Sequence, residues 1–251
     1  MDGSLVVAAQ APMAAGFEVE FAEEGGGRRR EPLSSCWDVE FEKVPPVRKF
    51  PSRQGQRHYP GAWWFSSTGG HVGFESWLER DVVMLLDADP DVVAVASQPF
   101  WLAWPVGLRT VRHAPDFFAR CSDGSAVVID VRADDRIEPE DAVKFEVTAK
   151  ACAAVGWEYQ RIGALAPVLA ANLRWLSGYR HPRYGFGGRV AEVLRAFNGP
   201  VALMEGTCAA GDPVAVLPVV FSLLWRRVLL ADLSSVLLGP ESVVRPAGDL
   251  R

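Results

Sequence analysis

The sequence predicts an α/β protein in which a mixed β-sheet flanked by helices is followed by a mainly helical C-terminal part. Residues 116–131 form two apolar runs around a turn signal, which is typical of a β-hairpin. Apolar residues at helical spacing lie before and after this hairpin, and after residue 163 the pattern changes to short helices. A strand that follows a helical crossover runs parallel to the strand before it, so parallel and antiparallel pairs are both expected.

The composition predicts a globular protein with a hydrophobic core and no membrane-spanning segment. Its 251 residues are 49% hydrophobic, which is enough for a substantial core. The longest apolar run, residues 214–225, contains Pro218 and falls short of the roughly 20 residues that span a membrane. The start of the chain carries Asp2 where a secretory signal has basic residues, so a cytoplasmic protein is expected. Four cysteines without paired spacing predict reduced thiols.

The first 64 residues fall into two stretches of different composition. Residues 1–45 lack sustained periodicity and contain a glycine run between charged residues, so a flexible N-terminal segment is expected. Residues 47–64 are basic and aromatic, which suits contact with phosphates, although an ordinary surface loop is the alternative. The net charge of −5 argues against a simple nucleic-acid coat but not against such local contact. The basic residues predicted to contact DNA here are Arg48, Lys49, Arg53 and Arg57.

A helix is predicted over residues 73–87, because apolar residues recur at helical spacing and an Asp-Ala-Asp-Pro sequence ends it. Glu79 lies in a Ser-x-x-Glu pattern near the start of this helix. The same pattern forms a capping box, so helix capping is the alternative to a functional role for Glu79. The elements predicted next are strands at 92–96, 100–104 and 108–113, the hairpin, a helix over 139–156 and a strand at 157–162.

The hairpin carries one acid on each strand. The Ser-Asp-Gly sequence at 122–124 suits a three-residue loop, and Cys121 then faces Ser125. This register places Asp116 directly opposite Asp130, with both side chains on one face of the sheet. Like charges in this position are destabilising, and a divalent cation bound by both carboxylates is the simplest way to stabilise them. Mg²⁺ is expected because it takes hard oxygen ligands, and Mn²⁺ is an alternative.

The C-terminal part is predicted to be helical, with a short hairpin at its end. Asp212 and Pro213 fit the N-cap and the first position of a helix. Two short helices around this turn, followed by a hairpin, resemble a winged helix. Arg226 and Arg227, at the end of the second helix, are further predicted DNA contacts. The predicted elements are helices at 165–176, 190–197, 200–206 and 213–226, and hairpin strands at 228–233 and 235–238.

The ordered set formed by Glu79, Pro115-Asp116 and Asp130-Val131-Arg132 resembles the PD-(D/E)xK nuclease superfamily. Within it, the chain is most similar to the TnsA family, the endonuclease subunits of heteromeric cut-and-paste transposases. Gln98-Pro99 after the next strand and Asp123-Gly124 in the hairpin turn also match that family. The resemblance covers roughly residues 57–163, and the family also has a helical winged domain C-terminal to the nuclease.

The resemblance implies a restriction-endonuclease-like nuclease domain at 46–163, after a flexible segment at 1–45, and a winged-helix-like DNA- or partner-binding domain at 164–251. It implies a Mg²⁺-dependent DNA endonuclease that cuts double-stranded DNA at transposon ends together with a DDE-type transposase subunit. Glu79, Asp116 and Asp130 would bind the metal, and Arg132 would complete the catalytic set.

Arg132 departs from the family, which usually has Lys at this position. A Lys ammonium is compact and its pKa shifts readily, whereas Arg stays charged and acts through planar contacts. This departure favours a second hypothesis, a catalytically weak architectural subunit that binds DNA and a partner. A restriction or repair nuclease is a third, and a neighbouring transposase gene would separate it from the first.

Overall fold

The computed structural model describes residues 16–23, 25–50, 59–185 and 188–248, and it shows a mixed α/β protein, as the sequence predicts. The helices are α1 (Trp77–Asp87), α2 (Pro139–Ala154), α3 (Pro167–Ser177), α4 (Arg189–Ala196), α5 (Leu203–Ala210) and α6 (Pro213–Trp225). The strands are β1 (Glu18–Ala22), β2 (Arg28–Pro32), β3 (Gly61–Trp64), β4 (His71–Phe74), β5 (Val92–Ser97), β6 (Trp101–Val106), β7 (Arg109–His113), β8 (Phe117–Cys121), β9 (Ala126–Val131), β10 (Glu158–Ile162), β11 (Val201–Ala202), β12 (Leu229–Leu230) and β13 (Val243–Pro246).

A four-stranded sheet with the order β10-β9-β8-β5 carries the acidic hairpin. Strands β5, β8 and β9 are antiparallel neighbours, and β6 and β7 are inserted between β5 and β8 in the sequence. Helix α2 connects β9 to β10, which lies parallel to β9. The predicted crossover and the parallel last strand are therefore confirmed.

A second sheet, with the order β2-β1-β6-β7, joins the N-terminal residues to the rest of the fold. Val19 and Phe21 point into a core that also contains Phe118 and Trp157. Phe41 is fully buried in the same core, with its ring centroid 4.9 Å from that of Phe100. The prediction that residues 1–45 are flexible is therefore wrong for 16–23 and 25–45, because strand β1 buries its apolar residues against β6; residues 1–15 lie outside the described range.

Helix α1 packs on two cores at once. Its Val82 and Val83 lie in one core with Phe117 of β8, which belongs to the sheet of order β10-β9-β8-β5. Its Met84 and Ala88 lie in another core, which is otherwise formed mainly by α3, α6 and the strands that follow α6. The boundary predicted at residue 163 follows β10, but the two parts of the chain share α1 as a common packing surface.

The C-terminal part combines helices with a small sheet of order β11-β13-β12, in which both pairs are antiparallel. The side chain of Asp212 accepts a hydrogen bond from Val214 N at 3.1 Å, so its predicted N-cap role is confirmed. The prediction of a strand at 235–238 is wrong, because the strand that pairs with β12 is β13. Residues 235–238 instead form a loop, held by the buried side chain of Asn172.

No helix in the described part of the chain is long and apolar enough to cross a membrane. Helix α6, which contains the longest apolar run, has 13 residues and includes Pro218. The four cysteines are free, with Cys36 and Cys152 buried. Burial raises the pKa of Cys36 to about 11 and that of Cys152 to about 12, so both remain neutral thiols at pH 7.

Candidate active site

Asp116 and Asp130 meet at the open end of the β8–β9 hairpin. Cys121 N donates to Ser125 O at 2.9 Å, and Phe117 pairs with Ile129. Asp116 directly precedes β8, so the same register places it opposite Asp130. Its Oδ2 accepts the amide hydrogen of Val131 at 2.7 Å. The hairpin register that the sequence predicts is confirmed.

Asp130 is buried in a hydrogen-bond network that the sequence did not reveal. It is 1% exposed, its Oδ1 lies 2.8 Å from His113 Nε2, and its Oδ2 accepts the hydroxyl of Tyr159 at 2.9 Å. Burial and the charge of Asp130 both raise the pKa of Tyr159, which therefore remains a hydrogen-bond donor. Both oxygens of Asp130 are thus engaged by side chains from β7 and β10.

Glu79 lies in the first turn of α1 and caps it. Ser76 Oγ accepts the amide hydrogen of Glu79 at 3.1 Å and donates to Glu79 Oε1 at 2.8 Å. Glu79 Oε2 accepts the amide hydrogen of Glu75 at 2.7 Å. The capping interpretation of the Ser-x-x-Glu pattern is therefore confirmed. Burial also raises the pKa of Glu79, so its charge is held in a poorly solvated place.

Asp116 is the most strongly perturbed of the three acids. Burial raises its pKa well above the ordinary value, and the charges of Asp130 and Glu79 raise it further. The Val131 amide and the charge of Arg48 act in the opposite direction. Glu79 therefore lies close enough to Asp116 to interact with it, although it belongs to a helix and Asp116 to the sheet.

These carboxylates fit a hard divalent cation only in part. Glu79 and Asp116 supply oxygen ligands, and the like charges around Asp116 would be relieved by a cation. Both oxygens of Asp130 already accept hydrogen bonds, and so do both oxygens of Glu79, whereas Asp116 has a described hydrogen bond at Oδ2 alone. In the described ranges, no group of three or more His, Cys, Asp or Glu side chains has a metal-binding arrangement. A site with one or two carboxylates and water ligands is typical of Mg²⁺.

Arg132 pairs with an acid outside the hairpin. Its Nε donates to Asp141 Oδ2 at 3.1 Å, and a second guanidinium nitrogen binds the same oxygen. This hydrogen bond lowers the pKa of Asp141, which lies in the first turn of α2. The sequence did not indicate this partner, and the Arg132 side chain is still 44% exposed.

The described basic residues that were predicted to contact DNA lie at two ends of α1. Arg48 makes a bidentate ion pair with Glu75, with both N–O distances 2.8 Å, whereas its neighbour Lys49 is exposed. Arg227 Nε donates to Ala88 O at 3.4 Å, and Arg226 is exposed beside it. Ala88 follows the last turn of α1, about 13 Å along the helix axis from Glu79. The two other predicted contacts, Arg53 and Arg57, lie outside the described residues.

Two exposed aromatic rings lie together at the start of α1. The ring centroids of Tyr59 and Trp77 are 5.7 Å apart, and Trp77 is 51% exposed although it lies at the start of α1. The guanidinium carbon of Arg80 lies 4.2 Å from the centre of the Trp77 ring. Exposed rings beside a cation are the groups on which nucleic-acid bases stack.

No protein-family model matches the chain, and no curated protein matches it. The function proposed below therefore rests on the geometry around Asp116. Two side chains that the sequence did not single out hold Asp130, namely His113 and Tyr159. The position of His113 just before Pro115-Asp116 was available in the sequence, but its contact with Asp130 depends on how β7, which belongs to the other four-stranded sheet, leads into β8.

Proposed function

We propose that the protein is a Mg²⁺-dependent DNA endonuclease of the PD-(D/E)xK superfamily, with a restriction-endonuclease-like nuclease fold, acting in the cytoplasm as a TnsA-like transposase subunit. It would cut double-stranded DNA at transposon ends beside a separate DDE-type transposase. The observation that carries this proposal is the position of Asp116, directly opposite Asp130 at the open end of the hairpin. Burial raises the pKa of Asp116, and so do two neighbouring carboxylates, Asp130 and Glu79. A cation bound beside Asp116 would relieve this unfavourable charge.

Glu79 and Asp116 would hold the cation. A bound Mg²⁺ would supply a water of lowered pKa and neutralise charge on the scissile phosphate. His113 and Tyr159 fix the orientation of the Asp130 carboxyl group next to Asp116. Rigid placement of charged groups is what phosphoryl chemistry requires of a protein.

Arg132 would take part in cleavage only after its guanidinium exchanged the Asp141 carboxylate for a DNA phosphate. Its ion pair with Asp141 is partly exposed, and such pairs contribute little to stability. A DNA phosphate offers oxygens that accept hydrogen bonds from the same guanidinium nitrogens, and it can bind them in the bidentate manner that the Asp141 contact lacks, so it can compete for the guanidinium. Arg132 would then stabilise charge on the phosphate rather than carry a proton.

Two surfaces support DNA contact. Tyr59, Trp77 and Arg80 lie together at the start of α1 and present rings and a cation to an approaching strand. The C-terminal order α4, β11, α5, α6, β12, β13 is that of a winged helix, a module that places a helix against DNA. The first surface would meet the cleavage site, and the second would bind DNA or the partner subunit.

The second candidate is an architectural subunit with weak or no catalysis. It is favoured by the ion pair of Arg132 with Asp141 and by the hydrogen bonds that occupy both oxygens of Asp130. Such a protein would use the same fold for DNA and partner binding only.

The deciding experiment incubates the purified chain with supercoiled plasmid and Mg²⁺ or Mn²⁺, with and without a DDE-type transposase where one is encoded beside it. The nuclease proposal expects cation-dependent nicking or linearisation that Asp116→Ala abolishes. Equal cleavage by Asp116→Ala would show that the site is misassigned. DNA binding without cleavage under every condition would favour the architectural subunit.

A further inference from the structure

The hairpin formed by β6 and β7 ends in an exposed apolar residue. Val106 pairs with Arg109, so Gly107 and Leu108 form a two-residue loop in which Gly107 has a φ of +59°. A loop of this kind needs glycine at its first position and accepts many residues at its second. Leu108 is the most exposed large hydrophobic residue in the described part of the chain. The geometry of the turn does not account for a leucine there.

The apolar surface extends beyond Leu108. Pro105, Val106 and Gly107 are also exposed, with Val106 at 55%, so the hairpin tip, residues 105–108, is a run of four exposed apolar residues. A run of this length on a surface is unfavourable unless it contacts something. Exposed apolar patches of this kind mark interaction sites.

The charges next to the hairpin tip indicate the class of partner. The chain has 31 Asp and Glu residues, but none lies between residues 92 and 115. Arg109 and Arg112 are exposed on β7, and neither makes an ion pair in the described part of the chain; Arg112 lies 4.4 Å from the centre of the Trp101 ring. By contrast, the three arginines of β2, at the opposite edge of the same sheet, each pair with a glutamate. Guanidinium groups without acid partners suit the phosphates of a nucleic acid.

Strand β7 connects the hairpin tip to the candidate site. At its other end, His113 Nε2 lies 2.8 Å from Asp130 Oδ1. Leu108 is five residues before His113, and an antiparallel strand rises about 3.4 Å per residue, so the two residues are no more than about 17 Å apart. One turn of duplex DNA is about 34–36 Å long. A duplex bound at Asp116 would therefore have its adjacent half-turn within reach of the hairpin tip.

We propose that the hairpin tip is a wedge that inserts Leu108 between base pairs of duplex DNA, within about half a helical turn of the cut phosphate, while Arg109 and Arg112 bind the flanking phosphates. Proteins that deform DNA use leucine and other apolar side chains in this way. This inference rests on the proposed nuclease function, to which it adds a means of deforming the DNA. Because TA steps unstack readily, the wedge would favour sites that contain them.

The first test measures binding of duplex DNA in EDTA, so that cleavage plays no part. The probe is a duplex in which 2-aminopurine replaces the adenines of its TA steps, because the fluorescence of this base rises when it is unstacked. We expect the wild type to raise this fluorescence, and Leu108→Asn to abolish the rise and to weaken binding by about tenfold or more. Leu237→Asn changes another leucine, 64% exposed, and should behave like the wild type. Both variants should melt at the wild-type temperature, because both side chains are exposed.

The second test measures the salt dependence of binding. Each lost phosphate contact reduces the slope of log Kd against log salt concentration by about 0.9, so Arg109→Gln combined with Arg112→Gln should reduce it by about 1.8. Arg29→Gln combined with Arg30→Gln removes the same charge at the opposite edge of the sheet. This control should leave the slope unchanged.

Unchanged fluorescence and affinity in Leu108→Asn would overturn the proposal, and so would a wild type that does not bind duplex DNA. A Leu108→Asn protein that binds DNA normally but loses self-association or transposase binding would also overturn it, because the hairpin tip would then be a protein-docking surface. If the wild type binds and unstacks DNA but cuts it with no cation, the nuclease function fails and the wedge is retained.

Discussion

Replacing Asp116 by Asn should stabilise the metal-free protein. Asn keeps an oxygen that can accept the Val131 amide hydrogen, but it carries no charge. Burial and the charges of Asp130 and Glu79 raise the pKa of Asp116, which means that the folded state disfavours its ionised form. The penalty is absent below the ordinary carboxyl pKa of about 3.9 and grows as the pH rises. The advantage of Asp116→Asn should therefore widen between pH 4 and pH 7.

Burial is the largest cause of the raised pKa, and the repulsion between Asp116 and Asp130, the next cause, gives the scale of the effect. Directly opposite residues on antiparallel strands have Cβ atoms about 5 Å apart, and two unit charges at that distance repel by roughly 3 kcal/mol at an effective dielectric constant of about 20. For a chain of this size, 1 kcal/mol corresponds to about 2–4 °C in melting temperature. The metal-free Asn variant should thus melt up to about 6–12 °C above the wild type at pH 7.

The assay is thermal unfolding of both proteins at pH 4 and pH 7, with EDTA and with Mg²⁺. Cation at a hundred times its dissociation constant should stabilise the wild type by about 2.7 kcal/mol and the variant by much less. Asp123→Asn is the matched control in the same hairpin, because its hydrogen bonds to Ser125 lower the pKa of Asp123 and its neutralisation should bring no gain. An Asp116→Asn protein that is less stable than the wild type in EDTA would refute the reasoning.

Three further predictions concern the N-terminal core, the catalytic set and the DNA surface. Phe41→Ala should cost about 3–5 kcal/mol in chemical denaturation, because Phe41 is fully buried among other rings, whereas Ala at the exposed Trp37 should cost less than about 0.5 kcal/mol. Arg132→Lys should raise the initial Mg²⁺-dependent cleavage rate by roughly tenfold or more, and an unchanged rate would remove this residue from the catalytic set. Trp77→Ala should weaken binding of single-stranded DNA by about 5- to 150-fold in fluorescence anisotropy, and Trp175→Ala, at another exposed ring, should not.

The features that the sequence predicts well are local. The Ser-Asp-Gly turn at 122–124 determines the register of its own hairpin, and the capping pattern at Ser76 determines where α1 begins. The parallel placement of β10 follows from its connection through α2. In each case, the residues that decide the structure are close together in the chain.

The features that the sequence does not reveal depend on distant pairings. Strand β1 has only two inward apolar residues, and its partner β6 lies about 80 residues later, so no period marks it as a strand. Tyr159 reaches Asp130 only because β10 pairs with β9 in a register that places Arg161 beside Asp130. Arg132 likewise pairs with Asp141 because α2 starts at Pro139, which places Asp141 in the first turn of the helix.

The nuclease and architectural hypotheses differ in how charge is balanced at one carboxylate. Glu79 is held by its helix cap, Asp130 by a histidine and a tyrosine, and Arg132 by Asp141. The negative charge of Asp116 is favoured by the Val131 amide and by Arg48, which is already paired with Glu75. It is disfavoured by burial and by the charges of Asp130 and Glu79. A nuclease would balance this charge with a cation and would free Arg132 for a phosphate, whereas an architectural subunit needs neither change. A Mg²⁺-dependent rise in melting temperature that disappears in Asp116→Asn would therefore favour the nuclease even before a cleavable DNA is identified.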